Sequence, residues 1–254
     1  MRAIILAAGR GARLGGIAGD DPKCLVKVGG LTLMERQIAT LKLLGLDRIT
    51  AVVGFGAARV RTVCGGSVDY VENESFDRTN SLYSLWLTRR DLSDGFVVLN
   101  SDVLVHPRLV QDLLASPHEN ALLIDYRDER TAEYGDEEMK VRVRDGRIID
   151  ISKEIAPASA DGENVGIAKF GPEGARLLIE EMDALISTGY LRHWAPRAFR
   201  EFALKQPLHA VATRGLPWIE IDFPEDYSRA VNEILPRLAA EEEHLIMSAA
   251  TSGD

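Results

Sequence analysis

An α/β fold with a mixed, mostly parallel central sheet and helices on both faces is what this sequence predicts, and three observations predict it. Apolar runs of strand length recur at residues 3–8, 49–53, 68–71, 96–99 and 121–126. Stretches with helical spacing lie between them, so strands alternate with helices. The 254 residues suffice for one large domain and do not demand two. The expectation is one domain over residues 1–240, with parts at about 1–126 and 127–240, and a tail over 241–254.

The first run breaks at once into a loop carrying Gly9, Gly11, Gly15, Gly16 and Gly19, together with Arg13 and Lys23. Glycines here let backbone N–H groups approach phosphate oxygens, and the two cations add charge to the same turn. Thr32 with Glu35 then makes a capping box for a helix in which Met34, Ile38 and Leu41 recur, and Gly45 stops it. A short helix is expected over 57–63, between the second and third strands. In the next segment Thr79 or Asn80 caps a helix whose apolar face is Leu82, Leu85 and Trp86, leaving Asn80 and Ser84 on another side.

Asp102 follows the run at 96–99, where a strand emerges at the carboxyl edge of the sheet and ligands commonly sit. Pro107 suits the first turn of a helix. Residues 127–138 carry eight charges and read as a surface loop. Alternation over 140–151 around Asp145-Gly146 predicts an inserted β-hairpin, with Lys153 just beyond it. Residues 164–167 return to the sheet. Helices are expected over 172–186 and 195–203, strands over 208–212 and 218–221, and a last long helix beginning at Phe223. Asp222 closes the final strand.

Composition narrows the function. Lys plus Arg is 30 against 39 for Asp plus Glu, a formal charge of −9, which argues against a general nucleic-acid surface. The two cysteines, Cys24 and Cys64, form no CxxC, and the five histidines fall into no sequence cluster. No apolar run approaches membrane-spanning length, and a protein without a leader is the expectation. The expected setting is cytoplasmic, with no membrane partner. A dinucleotide fingerprint fails because Leu14 stands at its third glycine and no carboxylate ends the second strand; a GxxxxGK[ST] loop is absent.

LAAGRGARL followed by PKCLVKVGG resembles the signature of the nucleotidyltransferases that make NDP-sugars and CDP-alcohols. The segment from Asn73 to Leu85 resembles the phosphocholine cytidylyltransferase branch, and WIEIDFPED resembles the family's C-terminal signature. The resemblance implies a Rossmann-like (GT-A type) nucleotidyltransferase fold, an inserted acceptor-binding hairpin subdomain, and transfer from an NTP, CTP by preference, to a phosphorylated small-molecule acceptor with release of pyrophosphate. It implies nucleotide contacts at Leu6, Ala7, Ala8, Gly9, Gly11, Arg13, Lys23, Asn80 and Ser84, and catalytic roles for Lys23, Arg13, Asp102 and Asp222. Asp102 and Asp222 are the implied Mg2+ ligands, a hard-oxygen pair suited to that ion.

For the acceptor it implies Lys153, Gly166 and Trp194. Trp194 is also open to a plain core role, and the branch's Asn-Glu-Trp before the hairpin is replaced by residues 131–134, Thr-Ala-Glu-Tyr. The acceptor therefore stays open among amino-alcohol, polyol and other alcohol phosphates and phosphonates, with a hexose-1-phosphate as the alternative. A GT-A glycosyltransferase would want a DxD run, whose first aspartate is replaced by Asn100. A non-catalytic nucleotide-binding module would have little use for Lys23, Asp102 and Asp222 together. Either a monomer or a homodimer is compatible with the sequence.

Overall fold

The structure is a computed structural model, described for residues 1–126 and 134–239. The strands in chain order are β1 (Arg2–Ala7), β2 (Lys27–Val28), β3 (Leu31–Thr32), β4 (Ile49–Val53), β5 (Asp69–Glu72), β6 (Phe96–Asn100) and β7 (Val103–Val105). They continue with β8 (Ala121–Tyr126), β9 (Lys140–Arg144), β10 (Arg147–Ser152), β11 (Gly162–Phe170), β12 (His209–Ala212) and β13 (Trp218–Glu220). The helices are α1 (Leu33–Leu43), α2 (Ala57–Cys64), α3 (Ser81–Leu87), α4 (Pro107–Ala115), α5 (Pro172–Ser187), α6 (Pro196–Ala203) and α7 (Pro224–Arg229).

Nine strands form one mixed sheet in the order β5-β4-β1-β6-β11-β8-β12-β10-β9. Pairing is parallel through β5, β4, β1 and β6 and between β8 and β12. It turns antiparallel where β11 runs between β6 and β8 and where the β9–β10 hairpin joins. The start of β11 also pairs with β9, so the far half of the sheet curls back on itself.

Strand alternation explains why both faces carry helices. On β1, Ala3, Ile5 and Ala7 pack into a core with Met34, Ile38 and Leu41 of α1 and Leu109 and Leu113 of α4. Ile4 and Leu6 point the other way, toward Leu82 and Leu85 of α3 and into the cluster of Leu178, Phe199 and Phe202 from α5 and α6. A third core fills the space between the first loop and the C-terminal helix, from Leu14 and Val28 to Ile219, Ile221 and Ile234.

Local signals behave as their chemistry requires. The Thr32 hydroxyl accepts from the Glu35 N–H at 3.1 Å and the Glu35 carboxylate accepts from the Thr32 N–H at 2.8 Å, a capping box at the start of α1. The hairpin turn places Asp145 and Gly146 at φ 51° and 72°, the left-handed pair of a tight primed turn. The final helix interrupts its α geometry after α7, widening to a π turn over Ala230–Ile234 before continuing to residue 239.

Two features depart from the pattern read in sequence. The strand expected over 218–221 does not enter the main sheet; β13 pairs antiparallel with β7, which has only three residues, in a separate ladder. And the histidines are not all isolated, since the rings of His118 and His209 stack with centroids 3.6 Å apart, lining a small cavity away from the glycine loop. Residues 127–133 of the charged loop, three of the Thr131–Tyr134 run, and the tail from 240 lie outside the described residues; Tyr134 itself is buried with Ile155 and Ala160.

Candidate active site

The carboxyl ends of β1 and β6 open onto a cleft of about 630 Å³. One wall is the glycine loop that follows β1. Gly11 is at φ +72°, and a Cβ there would stand 2.5 Å from Cβ of Lys23, so the turn and the lysine stem close on each other only because residue 11 lacks a side chain. Lys23 is thereby packed to 8% exposure, and its ammonium reaches across to the opposite wall.

That wall carries Asp102 and Asp222. Asp102 sits in the turn between β6 and β7, a turn held by Gln37 of α1, whose Nε2 donates to the carbonyls of Asn100 at 2.8 Å and Val103 at 2.9 Å. Asp222 follows β13, which β7 positions by the ladder already described, and the Ile221 N–H donates to the Asp102 carbonyl at 3.0 Å. The Asp226 carboxylate accepts from the N–H groups of Asp222 and Phe223 at 3.0 and 2.9 Å, fixing the start of α7 and the backbone of Asp222 with it.

Lys23 Nζ donates to Asp102 Oδ2 at 2.7 Å and to Asp222 Oδ1. Arg13 donates to Asp222 Oδ2 at 2.7 Å and to Glu137 Oε2 at 2.8 Å, and Lys153 reaches the same Glu137 oxygen at 3.2 Å. Burial by itself lowers the pKa of Lys23, but the two aspartates outweigh it and raise it above the ordinary lysine value. Burial likewise opposes the charge on Asp222, and Lys23 and Arg13 overcome that and lower its pKa.

Glu220 is a site residue to which the sequence reading gave no role. It projects into the same cleft, and burial next to Asp102 and Asp222 pushes its pKa up to about 8. Oxygens of Asp102, Glu220 and Asp222 lie within 4.8 Å of one another. Asp102 Oδ1 is buried with no hydrogen-bond partner. Three hard carboxylates facing one ammonium, with one orphaned oxygen, form a donor set that fits an oxygen-ligated divalent cation. In the sequence Glu220 stands inside WIEIDFPED, two residues before Asp222, and strand alternation puts residues 218, 220 and 222 on one face.

The remaining residues sort by position. Leu6, Ala8, Gly9, Gly11, Arg13, Lys23, Asn80, Ser84, Asp102, Lys153, Trp194 and Asp222 all line the cleft. Ala7 is 2% exposed and faces the core instead. Gly166 stands behind the wall at φ +85°, where a Cβ would meet the Asn100 amide at 2.8 Å. Trp194 is not a core tryptophan: it is 45% exposed, with Lys153 Nζ 4.7 Å from its ring centre. Its loop is stitched to α3 by the bonds from Leu82 N–H to the His193 carbonyl and from Ala195 N–H to Ser81 Oγ. Glu137, Asn73, Phe76 and Thr79 also line the cleft, though no motif reading singled them out for it.

Solved structures share this architecture. A CTP:phosphocholine cytidylyltransferase from Streptococcus pneumoniae superposes with a TM-score of 0.74 at 24% identity, over 90% of this chain and 96% of that one. An inositol-1-phosphate CTP transferase from T. maritima gives 0.76 at 22% identity, over 93% and 95%. The chain thus shares the α/β fold of these structures. The model of the MobA-like NTP transferase domain matches residues 3–244, and the chain belongs to that family.

Among curated relatives, the choline-phosphate cytidylyltransferase of Streptococcus pneumoniae is 27% identical over 239 residues, covering 92% of this chain and 98% of that protein. The bifunctional IPC transferase and DIPP synthase of Rubrobacter xylanophilus is 31% identical over 230 residues, covering 88% of this chain. This chain spans half the length of that relative. Among the described residues no helix is long and apolar enough to cross a membrane.

Proposed function

We propose that this protein transfers a cytidylyl group from CTP to a phosphorylated small alcohol, releasing pyrophosphate and giving a CDP-alcohol or related product. One observation carries the reading: Lys23 and Arg13 of the glycine loop meet Asp102 and Asp222, two segments far away in sequence, at one end of a single cleft. The names of the relatives, cytidylyltransferases in several cases, support CTP as the donor.

The chemistry asks for little beyond charge and alignment. A phosphate monoester has a second pKa near ~6, so at neutral pH its oxygen is already nucleophilic and needs no dedicated base. The barrier lies in bringing two polyanions into line at the α-phosphate. Loop N–H groups and Arg13 bind the β- and γ-phosphates and orient the leaving pyrophosphate. Lys23 keeps its proton and meets the charge that develops on the α-phosphate oxygens. Lys153, on the opposite side of Glu137, receives the acceptor phosphate, while Trp194 covers the acceptor's organic end. Asp102 and Asp222, with Glu220 beside them, would hold Mg2+, which supplies charge neutralisation at the phosphates when bound.

The test is pyrophosphate release with CTP, UTP, GTP, ATP and dTTP, each crossed with phosphocholine, polyol phosphates, aminoalkyl phosphonates and hexose-1-phosphates. The reading expects turnover that requires CTP and an alcohol phosphate or phosphonate together. Turnover only with a hexose-1-phosphate and another nucleotide would replace it with NDP-sugar synthesis, and release without any acceptor would point to hydrolysis.

A further inference from the structure

In the proposed transfer Arg13 serves the nucleotide and Lys153 the acceptor, yet one oxygen of the chain joins them. Glu137 Oε2 accepts from Arg13 Nη1 at 2.8 Å and from Lys153 Nζ at 3.2 Å. Those two bonds hold the carboxyl below the ordinary glutamate range, so it carries its full charge at neutral pH. An anion belonging to the protein thus sits on the cations that phosphate groups would use.

A bridge of this kind either holds its cations in place or keeps them occupied, and their other contacts decide which. Arg13 Nη2 donates to Asp222 Oδ2 at 2.7 Å, and its guanidinium lies 4.9 Å from the ring centre of Phe223. Lys153 Nζ lies 4.7 Å from the ring centre of Trp194. Each cation therefore keeps a second contact when Glu137 lets go, and Arg13 Nη1 and the Lys153 ammonium come free to donate. The bridge is also open to water, with the side chain of Glu137 57% exposed and that of Arg13 46%. Exposed pairs are weak, so an anion from solution can replace them.

The backbone beneath Glu137 is fixed more firmly than its side chain. Lys140 is 1% exposed, and its ammonium donates to carbonyls on either side of residue 137, those of Gly135 at 2.8 Å and Glu138 at 3.4 Å. The Asn164 N–H donates to the Met139 carbonyl at 2.9 Å, tying the same segment to β11. With the main chain pinned at the cleft, a side-chain rotation is enough to make or break the bridge.

We infer that Glu137 is a built-in competitor of the substrates: its carboxylate occupies Arg13 and Lys153 and must be displaced before phosphate groups can take them. A diphosphate group, which also gains the loop N–H groups, has the charge and the contacts to displace it. The inference rests on the transfer reading only for which anions arrive.

Glu137→Gln removes the charge and keeps the shape. Calorimetry in buffer containing Mg2+ measures inorganic pyrophosphate binding to the wild type, Glu137→Gln and Glu154→Gln, with circular dichroism checking the fold. Glu154 is exposed and follows Lys153 in the chain but does not line the cleft, so its variant controls for the change in net charge. Glu137→Gln should bind pyrophosphate about 3- to 10-fold more tightly than the wild type at low salt, and the gain should shrink at about 0.5 M salt. Glu154→Gln should stay within about 2-fold of the wild type.

Unchanged or weaker binding in Glu137→Gln overturns the inference, because that is the result for a carboxylate that merely holds the cations in place. An equal gain in Glu154→Gln overturns it too, as does a failure of both Glu137→Gln and the wild type to bind pyrophosphate. Should Glu137→Gln lose the fold, Glu137→Ala decides by the same titration. No turnover is needed, which separates this inference from the reaction. Tighter pyrophosphate binding without transfer to any acceptor would remove the reaction and leave the competitor; CTP-dependent transfer with an unmoved pyrophosphate affinity would do the reverse.

Discussion

Lys23 and Asp222 were singled out in sequence because each lies in a stretch resembling a family signature, and Asp102 because it follows a buried strand at the carboxyl edge of the sheet. Glu137 was not, since a lone glutamate in a charged loop reads the same whether it faces water or a cleft, and Glu220, though inside WIEIDFPED, received no role from it. Glu163 is a further case that only the fold reveals. Burial beside Glu138 and Asp125 pushes its pKa up to about 7, against a lesser pull from Lys140. Its proton is therefore held more tightly in the folded protein than in the unfolded chain. Unfolding releases that proton between the ordinary carboxylate range and pH 7, so the associated stability is whole below about pH 4 and is lost as pH rises through 7. Thermal melts from pH 5 to 8 should show Glu163→Gln gaining on the wild type as pH rises. A difference that stays flat across that range would mean Glu163 is not held protonated.

The elements that carry the site were mostly readable from periodicity, including α1 with its capping box and the hairpin around Asp145-Gly146. The β7–β13 ladder was not. Three residues are too few for a period, and their pairing partners lie over a hundred positions away, so nothing local reports that Asp102 and Asp222 are set on one short ladder. Gln37 was missed for a related reason: a glutamine on the buried side of an amphipathic helix looks like an error in the pattern. It is instead the clamp on the Asp102 turn, with one amide nitrogen serving two carbonyls. Gln37→Leu keeps the volume and removes the donors, leaving two buried carbonyls unpaired. The expected loss is about 1–3 kcal/mol in denaturant melts, with turnover reduced further than CTP binding because Asp102 shifts. A variant as stable and active as the wild type would show that the turn holds itself.

At the scale of the whole molecule, the sheet divides the labour. Its parallel half ends in a glycine loop and a cation cluster suited to a triphosphate, its antiparallel half delivers Lys153 to the same cleft, and the loop between α5 and α6 adds Trp194. The formal charge of −9 makes that local cation cluster all the more necessary, because nothing in the overall field attracts an anion. Alternation of strands and helices made the nucleotide half predictable. The curl of the far half, where β11 pairs with β6, β8 and β9, depends on contacts that no window of sequence contains.

The central claim is that Lys23, Asp102 and Asp222 together let two polyanions react. The most direct measurement is transfer of label from CTP carrying a radioactive α-phosphate into a CDP-linked product, with Mg2+ and the acceptor found by the screen. Wild-type protein should move the label into product, and Lys23→Ala, Asp102→Asn and Asp222→Asn should each slow that transfer by about 100-fold or more while retaining the wild-type circular dichroism spectrum. Label transfer at the wild-type rate in any two of the three variants would contradict the account.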